Sequence, residues 1–237
     1  MRDITIIIPT YNEEKILRKN LLEIYNGISK KFPGRCMFVI VDSNSTDKTP
    51  VISREFARKH KDVSYINVNC DGKGGKIIYT ALRSNTPYAG WIDSDIPLKM
   101  EEYYRLMDNV ICKNADIAIA SRYAEGAKIK RHVMRLLLSK LYHNLVRALF
   151  LISATDSSCG AKFWNMKITK NVWPSVKGQK WFFDTELVYY SVKKGYRLVE
   201  VPVTFRDRND SRFNVLKEGF KVGLEVLNFR LRTLFGK

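Results

Sequence analysis

The sequence predicts an α/β fold built on a mainly parallel sheet flanked by helices. Three features predict it. Short, apolar, β-branched runs alternate with helical patterns of roughly ten to twenty residues through the first half of the chain. The runs are continuously apolar, as buried strands are. Turn and helix-start residues punctuate the intervals between them.

In order, residues 4–9 (ITIIIP) read as the first buried strand. Thr10-Tyr11-Asn12-Glu13 offers a capping box for a helix through Lys31, with Ile16, Leu17, Leu21, Ile24 and Ile28 on one face. Pro33-Gly34 ends it, and 36–41 is the second strand. Thr49 and Pro50 read as N-cap and first residue of a helix to His60. Residues 63–68 form a third strand, 74–83 a short helix, 88–92 a fourth strand, 100–114 a helix and 116–120 a fifth strand. A Cys-Gly-rich turn at 157–161 leads to a short strand, a helix near 183–194 and a strand at 197–204. The tail, 211–237, is basic and amphipathic, with Phe213, Leu216, Phe220, Leu224, Leu227, Leu231 and Leu234 at helical spacing.

Composition narrows the function classes. The chain has 237 residues and carries 41 Lys plus Arg against 24 Asp plus Glu, a formal net charge of +17. That length suits one domain of ~100–200 residues with a C-terminal appendage, and needs no disulfide or metal staple. Four widely spaced cysteines with no CxxC exclude a sequence-local zinc site and read as reduced thiols in a cytosolic protein. The N-terminus has no signal-peptide pattern. The most apolar stretch, 133–154, is interrupted by Arg135, Lys140, His143 and Arg147, so it reads as an amphipathic helix rather than a membrane span. Residues 122–147 hold seven Lys/Arg against Glu125, interleaved with leucines; this favours an anionic lipid surface over nucleic acid, for which no reading motif is present.

In parallel sheets, ligands bind beyond the carboxyl ends of the strands. Polar residues gather there: residues 9–13 after the first strand, Asp42-Ser43-Asn44-Ser45 after the second, Asp93-Ser94-Asp95 after the fourth. Asp93 and Asp95 suit a hard divalent cation completed by phosphate oxygens; the alternative is a solvated loop or cap before helix 100–114. Asp71-Gly72-Lys73-Gly74-Gly75-Lys76 opens a helix and suits a phosphate, although it lacks the Walker pattern; the alternative is an ordinary strand-to-helix turn. The three histidines form neither a metal spacing nor a Ser-His-Asp set.

Taken together and in order, IIIPTYNEE (6–14), VDSNSTDKT (41–49), the GKGG loop, WIDSD (91–95), ASRY (120–123), CGAKF (159–163), FDTEL (183–187) and EVPV (200–203) resemble family-2 glycosyltransferases of the GT-A, Rossmann-like fold. The likeness is to the dolichyl-phosphate mannose and dolichyl-phosphate glucose synthase branch. It implies inverting transfer of a hexose from a nucleotide sugar, UDP-glucose or GDP-mannose, to a polyprenyl (dolichyl-type) phosphate. By the same resemblance, Pro9, Tyr11, Glu13 and Asp42 frame the base and ribose, and Asn44, Lys73 and Ser94 complete the donor set. Asp93 and Asp95 hold Mg²⁺ or Mn²⁺. Arg122, Arg135, Ser139 and Arg208 take the acceptor phosphate, with Asp184 supporting that pocket or serving the core. Residues 1–210 become the catalytic domain and 211–237 an amphipathic helix at the membrane surface, peripheral and cytoplasmic. The family has Asp where Asn44 stands, Gln in the mannose-type enzymes where Pro97 stands, and RGESK where 208–212 reads RNDSR. Two other readings stay open: a family-2 enzyme with a soluble hydroxyl acceptor, using Asp184 as base, and a non-enzymatic basic membrane- or RNA-binding protein.

Overall fold

The computed structural model describes residues 2–130, 133–180, 182–206 and 215–235. A seven-stranded sheet runs through it in the order β3-β2-β1-β4-β7-β5-β8. The strands are β1 (Ile4–Thr10), β2 (Cys36–Asp42), β3 (Val63–Asn67), β4 (Tyr88–Ile92), β5 (Ile117–Ser121), β7 (Ala161–Asn165) and β8 (Leu198–Pro202). All neighbours pair in parallel except β7, which is inserted antiparallel between β4 and β5. The expected parallel sheet is therefore present, with one strand reversed. A separate two-stranded ribbon pairs β6 (Lys128–Lys130) with β9 (Thr204–Arg206). The strand expected at 197–204 divides between the sheet and this ribbon.

Both faces of the sheet are covered, which is why β1 is buried along its whole length. Ile4, Ile6 and Ile8 face a core shared with α1 (Leu17–Lys31), α2 (Thr49–Lys59) and α4 (Met100–Ile111). Ile7 faces the opposite core, with α3 (Gly72–Arg83), α6 (Met166–Thr169) and α7 (Phe183–Lys193). Two helix starts differ from expectation. Thr10 stays in β1 and donates to the Val41 carbonyl, so no Thr10–Glu13 capping box forms; the Glu13 carbonyl instead accepts from Leu17 N–H at 2.9 Å. In α2, Thr49 is already helical, and Asp47 accepts from its N–H at 2.8 Å.

The basic segment after β5 forms α5 (Val133–Phe150), and the tail forms α8 (Val215–Phe235). These helices pack together over a third core in which Val146, Phe150, Phe182 and Phe229 are buried. Glu225 of α8 accepts from Phe182 N–H at 3.1 Å, and Arg232 pairs with the buried Glu186 of α7. The expected appendage is thus bonded to the body of the fold through α7. Among the described residues, no helix is long and apolar enough to cross a membrane.

Phe229 is fully buried against Phe150, Phe182, Tyr189 and Tyr190. Phe229→Ala is expected to cost about 3 kcal/mol or more and to open 215–235 to limited proteolysis. An unchanged urea midpoint would show that α8 contributes nothing to the fold.

Candidate functional site

Chain order reverses between β1 and β4, the neighbours at the centre of the sheet, so a crevice opens beyond their carboxyl ends. The loops after β1 and β2 form its first wall and are stitched together by side chains. Asn12, at φ 53°, donates its N–H to Ser45 Oγ (2.9 Å) and accepts Thr46 N–H on its amide oxygen (2.8 Å). Glu13 N–H donates to Thr49 Oγ1 at 2.8 Å. Asp42 is fully buried and accepts from Ser45 Oγ at 2.5 Å and from Tyr65 at 3.4 Å, so its carboxylate fixes this wall. Asn44 joins Asn67 and Asn69 in an exposed amide cluster at the ends of β2 and β3. Pro9 is buried in register with Val41, while Tyr11 stands 53% exposed above them. Lys76 reaches under Tyr11 to the Thr10 carbonyl at 2.7 Å, and burial lowers its pKa.

The floor comes from β4 and α3. Asp93 follows β4, and its carboxylate pairs with Lys73 Nζ at 2.6 Å. Burial opposes the Lys73 charge, but Asp93, with Asp184 and Asp95 also in reach, raises its pKa. Ser94 is buried, and its carbonyl accepts from Asn20 at 2.8 Å. Ile96 closes the turn at φ 47°, a costly conformation for a β-branched side chain, with its N–H on the Asp93 carbonyl. Strain of this kind gathers where a turn is held for function. Gly72, at φ 68°, and Gly74 let the start of α3 lie directly on residues 179–183: a Cβ on Gly74 would sit 2.5 Å from Phe183 Cγ. The Gly75 N–H is used here, donating to the Gln179 carbonyl.

The far wall is a single turn, Asp156 to Gly160, which enters β7. Asp156 is fully buried and grips Arg122 in a fork: Nε at 2.7 Å, a terminal nitrogen at 2.8 Å, and the Arg122 backbone N–H at 2.9 Å. Burial works against both charges, yet the pair wins. Arg122 is raised, and Asp156 is held well below the usual carboxylate range. Ser158 Oγ adds a contact to Arg122 at 3.2 Å. His143 Nε2 lies 3.3 Å from Ser158 Oγ and 3.4 Å from Asp156 Oδ1. The Cys159 carbonyl and Asp184 Oδ1 share Lys162, fully buried and 5.1 Å above the Trp91 ring. Burial raises Asp184, and Lys162 and Lys73 hold that rise back. Gly160 completes the turn: a Cβ there would lie 2.0 Å from Asp93 Oδ2.

Of the sequence-predicted residues, the fold thus gathers Asp93, Lys73 and Asp184 into one charged cluster, with Asp95 in electrostatic reach. Arg122 is joined to it through the 156–160 turn. Ser139 of α5 is brought to the same side by Tyr123, whose hydroxyl donates to it at 2.6 Å. Arg135 lies one turn earlier on α5, and Arg208 lies outside the described residues. Sequence reading missed Asp156, Lys162 and the part played by Gly160. Charged residues in loops read as solvated, and only the CGAKF motif marked the place.

Asp93 already receives one cation, and Asp93 and Asp95 are hard oxygen donors that need phosphate oxygens to complete a divalent site. The residues fit Mg²⁺ or Mn²⁺ on those terms, and among the described residues no three acidic, His or Cys side chains converge without such help.

The pattern of Glycosyl transferase family 2 matches residues 5–173. The chain belongs to that family. It is a glycosyltransferase, with the seven-stranded α/β architecture of the GT-A enzymes. It is 25% identical over 252 residues to a dolichyl-phosphate beta-glucosyltransferase of Saccharomyces cerevisiae (98% of this chain, 75% of that one). To a polyprenol monophosphomannose synthase of Mycolicibacterium smegmatis it is 30% identical over 210 residues, covering 86% and 77%. A crystal structure of glucosyl-3-phosphoglycerate synthase from Mycobacterium tuberculosis, in complex with Mn²⁺, UDP and glucosyl-3-phosphoglycerate, superposes with a TM-score of 0.70 at 15% identity, covering 98% and 79%. That likeness is one of fold.

Gly160→Ala drives a methyl group into the Asp93 carboxylate, and the family-2 enzyme is expected to bind Mn²⁺ about tenfold to a hundredfold more weakly with its thermal midpoint nearly unchanged. Unaltered Mn²⁺ binding would separate Gly160 from the site. Asp156, depressed in the folded state, contributes stability above the ordinary carboxylate value of 3.8 that is lost as pH falls below it. The stability gap between wild type and Asp156→Asn, measured by urea denaturation, should therefore close as the solution is acidified.

Proposed function

We propose that this enzyme transfers glucose or mannose, with inversion, from UDP-glucose or GDP-mannose to a polyprenyl phosphate of dolichyl type, while attached peripherally to the cytoplasmic face of a membrane. One observation carries the acceptor. The α5 helix holds Ser139 against the Arg122 side of the crevice, and it turns Met134, Leu137, Leu138, Leu141 and Leu145 to solvent. A helix that is apolar outward, with Lys140 and Arg147 also on its surface, suits an anionic lipid surface. Its partner α8 likewise exposes Leu227, Leu231, Leu234 and Phe235. The dolichyl-phosphate and polyprenol-phosphate relatives support the same acceptor class. Four free cysteines suit the reducing side of the membrane.

In this reading Tyr11, Pro9, Glu13, Asp42 and Asn44 shape the nucleoside end of the donor. Asp93 and Asp95 would hold Mg²⁺ or Mn²⁺ at the diphosphate, and the cation would supply positive charge to neutralise the leaving nucleoside diphosphate. Lys73 and the α3 N-terminus lie beside that diphosphate. The acceptor phosphate is already anionic, so attack on the anomeric carbon requires guidance by cations rather than a strong base. Arg135 and Arg208 supply that charge, and Ser139 adds a neutral hydroxyl. Arg122, gripped by Asp156, contributes a fixed positive charge and holds the 156–160 turn. Asp184, committed to Lys162, is shielded from acting as a free base. A hydroxyl acceptor is the second reading, favoured by the burial of Asp184 at the crevice, and it would require that carboxylate to take a proton.

Purified enzyme with Mn²⁺ or Mg²⁺, a short polyprenyl phosphate and each nucleotide sugar in turn should yield a glycosylated lipid phosphate from one donor. Donor binding without lipid product would move the acceptor to a soluble hydroxyl. The paired change Leu137→Glu with Leu141→Glu is expected to lower partition onto vesicles containing anionic lipid by about tenfold or more and to leave nucleotide binding intact. Equal partition of variant and wild type would remove α5 from the membrane contact.

A further inference from the structure

Lys73 and Asp93 form an ion pair at 2.6 Å, on the very carboxylate assigned to the divalent cation. The lysine's backbone has no freedom to retreat. Gly72 and Gly74 are pressed against Gln179, Lys180 and Phe183, and the Gly75 N–H is tied to the Gln179 carbonyl at 3.0 Å. Its side chain is different: unbranched, 19% exposed, and paired at its tip with Asp93. Asp95 and Asp184 lie within electrostatic reach of the same ammonium, so the cluster is acidic and Lys73 partly compensates it. Lys73 Nζ holds one Asp93 oxygen, Oδ1, at 2.6 Å, so a divalent ion arriving at that carboxylate meets a like charge, and the two cations repel one another. A nucleoside diphosphate, by contrast, brings its negative charge to the place beside them, at the N-terminus of α3.

We propose that Lys73 is a resident counter-ion of Asp93 that yields its place to the arriving cation and passes to the donor's diphosphate. It rests on the donor reading above. Lys73 then has two positions: on Asp93 in the free enzyme, and on the diphosphate in the complex. The exchange makes metal and donor bind better together than either does alone, because the ammonium leaves Asp93 most readily when the diphosphate is there to receive it.

The decisive experiment uses the full chain and two probes, Mn²⁺ alone by paramagnetic resonance of the free ion, and UDP or GDP in saturating Mn²⁺ by calorimetry. Lys73→Met should bind Mn²⁺ alone about threefold to tenfold more tightly, as a competing ion pair is removed, and should bind the nucleotide about tenfold more weakly, as a charge-assisted contact is lost. Lys73→Gln is the second variant should the first fold poorly, and Lys73→Arg should restore nucleotide binding. The opposite signs are the fingerprint. Unchanged or weaker Mn²⁺ binding in both neutral variants would overturn the displacement, and unchanged nucleotide binding would overturn the transfer. Wild-type protein that binds neither UDP nor GDP with Mn²⁺ would overturn the donor reading itself, and this inference with it.

Discussion

One antiparallel strand organises the site. Because β7 runs against its neighbours β4 and β5, its entrance rather than its exit lies at the edge where the parallel strands end. The turn that feeds it, Asp156 to Gly160, is thereby forced across the crevice. Within five residues it grips Arg122, supports Lys162 and presses on Asp93. A parallel strand in that position would have sent this turn to the other end of the sheet, and the two halves of the site would share no backbone.

The electrostatics follow from that crossing. Buried charges are costly unless paired and hydrogen-bonded. Here Arg122 meets Asp156, and Lys162 meets Asp184, with side chains at most a tenth exposed. Loss of one partner would leave the other stranded, which makes both pairs fixed parts of the frame. Lys73 and Asp93 are a pair of another kind, with side chains a fifth to a quarter exposed. Burial opposes the Lys73 charge, so the lysine needs an anion wherever it rests, but this pair is the more exposed and the one that can be remade.

The packing of α5 and α8 joins this frame to the surface. Their shared face is aromatic and closed, centred on Phe229, while their outer faces keep leucines in solvent. A helix pair that needed only solubility would carry polar residues there. Since α5 also reaches the crevice through Tyr123 and Ser139, whatever the outer face rests on is held at a set distance from the donor floor.

Strand and helix positions in the first half were legible because each is written locally: β-branched runs, helical spacing and Pro-Gly breaks between 4 and 120 carry their own periodicity. The placing of polar residues at strand ends was legible for the same reason, and Tyr11, Asp42 and Asp93 came out as a set. Helix starts were less so. Thr10 kept its place in β1 because the ladder to β2 continues through Asp42, which outweighs a local cap. The direction of β7 was hidden altogether, since a five-residue strand such as AKFWN reads alike in either direction. So were Asp156 and Lys162, charged residues whose burial depends on partners 34 and 22 positions away. By itself the sequence determined the fold class, the family and the acidic floor of the crevice, all of which rest on local pattern. Only the tertiary structure decided which charges are paired, which carboxylate holds a lysine, and why position 160 has no side chain, because those depend on atoms that folding alone brings within reach.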